Sequence, residues 1–391
     1  MASRLDQRTI SGATAALLIG VFAVGSEALV ISPLLVDIAR DLHTGIQGAG
    51  LSVSVYGLAV AITAPAAGRV ADMLSRRLTI LLGLAIFAVA GALCAVAPTL
   101  AVLVAGRALC GLGAGLFLPA AYAWVGDEVA YEDRARIMGR VVAGWAAAIV
   151  LGVPIGGFIG QIASWREALA AMAVFALIAA IVALRLIPSE SSVTDTDGQR
   201  PGIREALAVP GVRLLLTVNL LDMLAFYGVY TYLGTFIRDQ LNVRSAVASS
   251  LILIYGIGVA ETSFNGRVLD RFGKERALLV SLGCLAVIFA VLPLLGGVPI
   301  ALGVLLAVFG AFQAVFLTCM ATVATQTSNA VRGSVVALMS CTSYIGVTVG
   351  AAVMGPIFDG PGYWLVGLIS AGLTLAAAAL WSRRGARTVV A

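Results

Sequence analysis

Gly68-Arg69-Val70-Ala71-Asp72-Met73-Leu74-Ser75-Arg76-Arg77-Leu78 lies between two long apolar stretches, and it returns as Gly266-Arg267-Val268-Leu269-Asp270-Arg271-Phe272-Gly273-Lys274-Glu275-Arg276. The second copy begins 198 positions after the first (266 minus 68), about half of the 391-residue chain. Gly, Arg, Val and Asp recur in the same order, and cations follow each time. A repeat at half-length means that one domain-sized unit occurs twice.

Composition says what surrounds that unit. The chain is 60% hydrophobic and 12% charged, whereas a soluble domain carries about 25% charged residues. Charge this sparse does not cover a water-facing surface, so lipid is the principal solvent. The net charge of +5 is carried in short loops between apolar runs, which is a membrane-orientation pattern and not a nucleic-acid face. Cys94, Cys110, Cys284, Cys319 and Cys341 all lie in apolar runs without metal-ligand spacing, and read as packing residues.

The first apolar run, about Ser11–Ser32, has roughly the 20 residues that cross a bilayer. It exceeds a signal-peptide core and is kept as the first span. Further spans fall near Gln47–Val70, Leu78–Ala97, Thr99–Val125, Ile137–Ile162 and Glu167–Ile187. After the Ser-, Thr-, Asp-, Gly- and Pro-rich stretch 188–210 come Val212–Ile237, Ala246–Leu269, Ala277–Gly296, Pro299–Ala324, Gly333–Phe358 and Tyr363–Trp381. The expected fold is an all-α membrane protein of twelve helices in two pseudo-symmetric six-helix bundles, residues 1–187 and 211–391, joined by a flexible linker at 188–210. Twenty of the 25 Lys and Arg lie on the side that holds both termini, both repeat loops and the linker. Arg40, Arg166, Arg238 and Arg244 lie on the other side, and Arg107 inside a span. Both termini are therefore expected in the cytoplasm.

Twelve spans, two halves, a central linker and the Gly-x-x-x-Asp-x-x-x-Arg-Arg loop between spans 2 and 3 resemble the major facilitator superfamily over essentially the whole chain. Met73 and Ser75 stand where the family usually has Arg and Gly, and the second copy has both, as Arg271 and Gly273. The resemblance implies paired repeats, alternating access and a gating role for Gly68, Asp72, Arg76, Arg77, Asp270 and Arg271. Asp72 at a helix end can pair with Arg76, Arg77 or a helix N-terminus. The plainer alternative is that the cations only fix topology.

In span 5, Gly144, Ala148, Gly152, Gly156 and Gly160 recur every four residues and form one small-residue stripe. Pro154 interrupts it and favours a kink. Gly152-Val153-Pro154-Ile155-Gly156-Gly157 resembles the antiporter motif of the twelve-span drug:proton efflux branch, in the variant of its arabinose-efflux and purine-efflux-like members. Span 11 echoes it with Gly346, Gly350 and Pro356. Packing alone is the alternative for such a stripe.

Ionisable side chains inside lipid need a reason. Glu27 is placed in span 1 one to two turns from its outer end, Arg107 in span 4, Asp222 near the middle of span 7 and Glu261 near the basic end of span 8. Asp222 corresponds to position 24 in the first repeat (222 minus 198), one turn from Glu27. Coupling to a proton gradient needs a carboxylate that gains and loses a proton within the membrane. Glu27, Asp222 and Arg107 are the candidates, with Glu27 expected to lead; by resemblance, the span-4 arginine is tied to proton coupling. The structural alternative is a permanent ion pair between Glu27 and Arg107. Glu261 reads as structural.

By the family's arrangement, spans 1, 4, 7 and 10 line the cavity. Asn219, Phe226, Tyr227, Tyr230, Phe312, Gln313 and Phe316 are then candidate substrate contacts. Aromatics suit flat or amphipathic molecules and cations. The expected activity is proton-coupled efflux of a small neutral or cationic drug or metabolite; uptake of a sugar, nucleoside or similar nutrient is the alternative. An enzyme would need a nucleophile or metal cluster at depth, and the single histidine, His43, falls in the first outer loop. No cofactor or metal is expected. The expected partners are a small-molecule substrate, protons and the bilayer of the cell's inner membrane, without nucleic acid, and the expected state is a monomer.

Asp72→Asn should lower transport while leaving membrane insertion and abundance intact, because it removes charge from a contact that differs between conformations. Normal transport rates in that variant would leave the loop a topology role alone.

Overall fold

A computed structural model of the chain describes residues 6–188, 203–264, 273–326 and 332–388. Among them are twelve helices long and apolar enough to cross a membrane. Spans 1 to 4 are Gln7–Asp41, Ile46–Leu74, Arg76–Ala95 and Leu100–Glu128. Span 5 is Tyr131–Ala147 continued through a π-turn, Ala148–Gly152, into Val153–Ile162, and span 6 is Trp165–Leu186. Spans 7 to 12 are Val212–Leu241, Ser245–Phe264, Lys274–Val291, Pro299–Gln326, Arg332–Asp359 and Tyr363–Thr388. A short helix, Ile203–Ala208, occupies part of the stretch read as a flexible linker.

Three boundaries differ from the sequence reading. The repeat stretch beginning at Gly68 is helix as far as Leu74, and the break is confined to Ser75 at φ 104°. Ser75 then caps span 3, accepting a hydrogen bond from Leu78 N at 3.3 Å. Span 1 runs through Pro33 to Asp41, so Glu27 lies near its middle and not close to its outer end. Pro33 is buried inside this helix, and Arg238 Nη1 of span 7 donates to its carbonyl oxygen at 3.1 Å.

Two apolar cores divide the helices. One draws on spans 1–6 around Phe87, Phe117 and Trp124, and the other on spans 7–12 around Phe289, Phe309 and Phe316. They interlock at the seam, where Val347 and Ala351 join the first core, and Leu29 and Val153 the second. Large apolar side chains such as Ile62, Val89, Phe158 and Val287 stay exposed on the outer faces, as lipid contact requires.

The small-residue stripe of span 5 lies on span 1. A Cβ at Gly144 would press on Leu18 O, at Gly152 on Ser26, at Gly156 on Val30 and at Gly160 on Leu34. The partners are themselves spaced by eight, four and four residues, matching the glycines, so two helices share one close seam. Gly157, one position round the helix, faces Ser249 of span 8 in the other half. Span 11 repeats the device, with Gly346 and Gly350 against Met223 and Leu224 of span 7.

Hydrogen bonds between the halves gather at the end opposite Arg76 and Arg77. Arg238 holds Asp37 through two bonds, at 2.6 and 2.9 Å. Ser32 Oγ donates to Tyr230 O at 2.7 Å and accepts from Gly234 N at 3.2 Å. Ser245 Oγ donates to Gly157 O at 3.1 Å, and Asp359 Oδ2 accepts from Gln47 N at 3.1 Å. Nearer the basic end, Cys341 Sγ meets Ala61 O at 3.8 Å.

Gly152→Leu should lower stability by about 1–3 kcal/mol, the usual range for overpacking, and slow conformational exchange, whereas Phe158→Leu on the lipid face should be silent. Thermal unfolding in detergent, with transport assayed in parallel, checks both.

Candidate functional site

The first polar centre joins spans 1, 2 and 4. Arg107 is wholly buried and its Nη1 donates to Glu27 Oε1. Its Nε donates to Ser52 O at 3.2 Å, and its guanidinium lies 4.5 Å from the centre of the Tyr56 ring. Gly106 beside it meets Cys94, and Gly111 one turn on meets Tyr56 O, so glycines let span 4 sink between spans 2 and 3. A guanidinium cannot shed its proton in a protein, so a carboxylate is the complement that neutralises it. Glu27 and Arg107 are thus paired in this state. The pair is not saturated: Glu27 Oε2 and Arg107 Nη2 have no hydrogen-bond partner.

The second centre joins spans 7 and 10. Asp222 is fully buried, and its Oδ2 accepts from Gln313 Nε2 at 3.0 Å. Asp222 Oδ1 and Gln313 Oε1 have no partner. Among the described residues no Lys, Arg or His pairs with Asp222. One turn away, Phe226 stacks on Tyr230 with ring centres 5.4 Å apart. Tyr255 of span 8 and Phe309 of span 10 close the group, 4.8 Å from each other and 6.1 and 5.7 Å from Phe226.

The remaining candidates scatter. The amide nitrogen of Asn219 faces Met339 O, Thr342 Oγ1 and Ser343 Oγ of span 11 at 3.1, 2.9 and 2.9 Å. Phe316 is fully inside the second core, whereas Phe312 is only partly covered. Tyr227 touches both cores, and so marks the seam. Gly152 ends the π-turn, and Pro154 and Gly156 follow in the last helical segment of span 5. Arg76 pairs with Asp127 of span 4 at 3.0 Å, and Arg77 Nη2 donates to Leu184 O of span 6 at 2.7 Å. Gly68 and Asp72 lie in span 2, but the side chain of Asp72 falls outside the described residues, as do Asp270 and Arg271 entirely. Glu261 is exposed.

Several polar aromatics escaped the sequence reading. Trp145 of span 5 touches both cores and donates to Tyr122 OH of span 4 at 3.2 Å. Tyr344 of span 11 lies within electrostatic reach of Tyr56, Tyr122 and Tyr227. With Tyr230, Tyr255 and Tyr232, whose hydroxyl lies against Gly50 of span 2, seven of the nine tyrosines lie near the seam or the two acidic centres. The available signal was depth: each lies well inside its apolar span, where a phenol needs a polar neighbour. At the opposite end, Trp165 and Arg166 open span 6. Arg166 and the Trp165 indole both meet Asp41, and Arg166 Nη2 donates to Ala97 O at 2.9 Å, tying spans 1, 3 and 6.

Twelve membrane-length helices in two cores, with buried ionisable side chains between them, make a multi-pass membrane protein of the transporter type. The chain belongs to the Major Facilitator Superfamily, whose family model matches it at residues 17–351 and again at 215–389. The two matches start 198 positions apart (215 minus 17), the offset of the internal repeat. Among relatives, the uncharacterized MFS-type transporter YwfA of Bacillus subtilis (strain 168) is 38% identical over 365 residues, 92% of this chain and 89% of its own. A chloramphenicol resistance protein of Streptomyces lividans is 30% identical over 300 residues, 76% of each chain. The human organic anion transporter MFSD10 shares the fold at a TM-score of 0.74 and 18% identity, over 96% of this chain and 99% of its own.

Arg107→Leu should cost about 3–5 kcal/mol, because it strands a buried carboxylate, while Glu27→Leu with Arg107→Leu should recover much of the loss. Unfolding temperatures of the two single variants and the double variant check this.

Proposed function

We propose that the protein is a proton-coupled exporter of a small neutral or cationic molecule, working by alternating access in the manner of the drug:proton antiporter branch. Asp222 carries the argument: it is a buried carboxylate near the middle of a membrane-length helix, without a cation among the described residues, beside an aromatic group. Glu27 differs, since Arg107 keeps a positive charge against it in this state. On this reading Asp222 exchanges the proton. Glu27 and Arg107 hold spans 1, 2 and 4 in register, and their free Oε2 and Nη2 leave room for a second arrangement. Residues 1–187 and 211–391 are the rocking bundles, with the basic end, the repeat loops and both termini in the cytoplasm. The Arg238–Asp37 clasp seals the outer end, and the repeat loops would seal the inner one in the alternate state. The protein then works as a monomer in the inner membrane, and Tyr227 and Phe312 line the path. The Streptomyces relative, named for chloramphenicol resistance, supports export.

Proton flux on substrate addition to proteoliposomes, following a toxin and metabolite panel on cells, tests the reading. Asp222→Asn should abolish that flux. Glu27→Gln should lower abundance through the stranded guanidinium, yet leave flux per folded molecule. The reverse result returns the coupling to Glu27, and accumulation of substrate by energised cells would make the protein an uptake symporter.

A further inference from the structure

We propose that Asp222 and Gln313 form a two-acceptor site for organic cations bearing N–H groups, amidinium and primary ammonium above all, and that this site rejects quaternary ammonium ions of similar size. The proposal rests on the reading of the chain as a small-molecule transporter.

An ionised carboxylate only accepts hydrogen bonds, so the amide of Gln313 must turn its nitrogen to Asp222. That bond, at 3.0 Å, leaves the amide oxygen free. The dyad therefore presents two unpartnered acceptors, Asp222 Oδ1 and Gln313 Oε1, both buried. Buried acceptors without partners are uncommon, and each loses the bond it had in water. Their complement is a group with one positive charge and at least two N–H donors. An amidinium offers two in parallel, and an ammonium offers three. A quaternary ammonium has the charge but no donor, and would leave both oxygens unpaired in a dry site.

The rings nearby do not make this distinction. Phe226, Tyr230, Tyr255 and Phe309 pack on one another a turn away, and a ring face attracts an organic cation whether or not it carries N–H groups. Selection among cations thus falls to the two oxygens. Glu27 does not compete for cargo of this charge, because Arg107 sits on it.

The full chain in nanodiscs is titrated by calorimetry with benzamidine, benzylamine and benzyltrimethylammonium. The first two should bind about tenfold or more tightly than the third, the discrimination that hydrogen bonds to a charged group supply. Gln313→Met alone frees Asp222 Oδ2 and leaves an acceptor pair on the carboxylate, so the acceptors are removed together: Asp222→Leu with Gln313→Met should bring the three within about twofold, with thermal unfolding confirming the fold. Equal or tighter binding of the quaternary ion, no binding of benzamidine, or an unchanged preference in the double variant overturns the proposal. Proton flux on addition of a panel substrate tests the transporter reading separately, and its survival alongside any of those results confines the failure to the dyad.

Discussion

Arg107 carries a charge that water does not reach, and much of the first half is arranged around that fact. Its guanidinium stays ionised at any physiological pH, so the helices about it must bring compensation to mid-membrane. Span 1 brings the Glu27 carboxylate, and span 2 the Ser52 carbonyl and the Tyr56 ring. The contacts come from two neighbouring helices, so the charge fixes their mutual depth as well as their spacing. Glycine on spans 4 and 5 then allows the approach that these bonds require. Lipid offers helices little hydrophobic reason to associate, and close packing and polar contacts supply it instead.

The second half inherits the same unit but not the same electrostatics. The equivalent helix carries Asp222 a turn away from the Glu27 position, and it meets an amide instead of a guanidinium. One half therefore holds a neutralised pair, and the other an acid that needs a proton or a cation to balance it. The small-residue seams, by contrast, are shared by both halves, as spans 5 on 1 and 11 on 7. Duplication thus kept the packing rule and let the buried charges diverge.

The two ends of the molecule also differ in how they are tied. At one end Arg238 with Asp37, and Ser32 with Tyr230 and Gly234, bind the halves directly. At the other, Arg76 and Arg77 bind spans 4 and 6 of their own half. Bonds across the seam join the two halves at that end, whereas bonds within a half hold one bundle together.

Much of the architecture was legible in the chain. Apolar run length fixes a span because lipid tolerates no unpaired backbone, and the repeat at 198 positions announces a duplicated unit. The four-residue stripe of span 5 was readable as a contact face, since helical periodicity puts those positions on one line. The mid-span charges were equally visible, because a charge in an apolar run has few explanations. Pairing was not. Glu27 and Arg107 are 80 positions apart, and nothing local tells an ion pair from two independent groups. The fate of Asp222, next to Gln313 and without a cation, is decided by how span 10 rotates against span 7. Tyr56, Tyr122, Tyr255 and Tyr344 looked like ordinary aromatics in apolar helices, and only packing brings them to the seam. Sequence determined which segments lie in lipid and which residues are costly there. Tertiary structure decided which of those costs are met by a partner and which are left open, because that depends on helix rotation and depth, which hydrophobic pattern leaves unspecified.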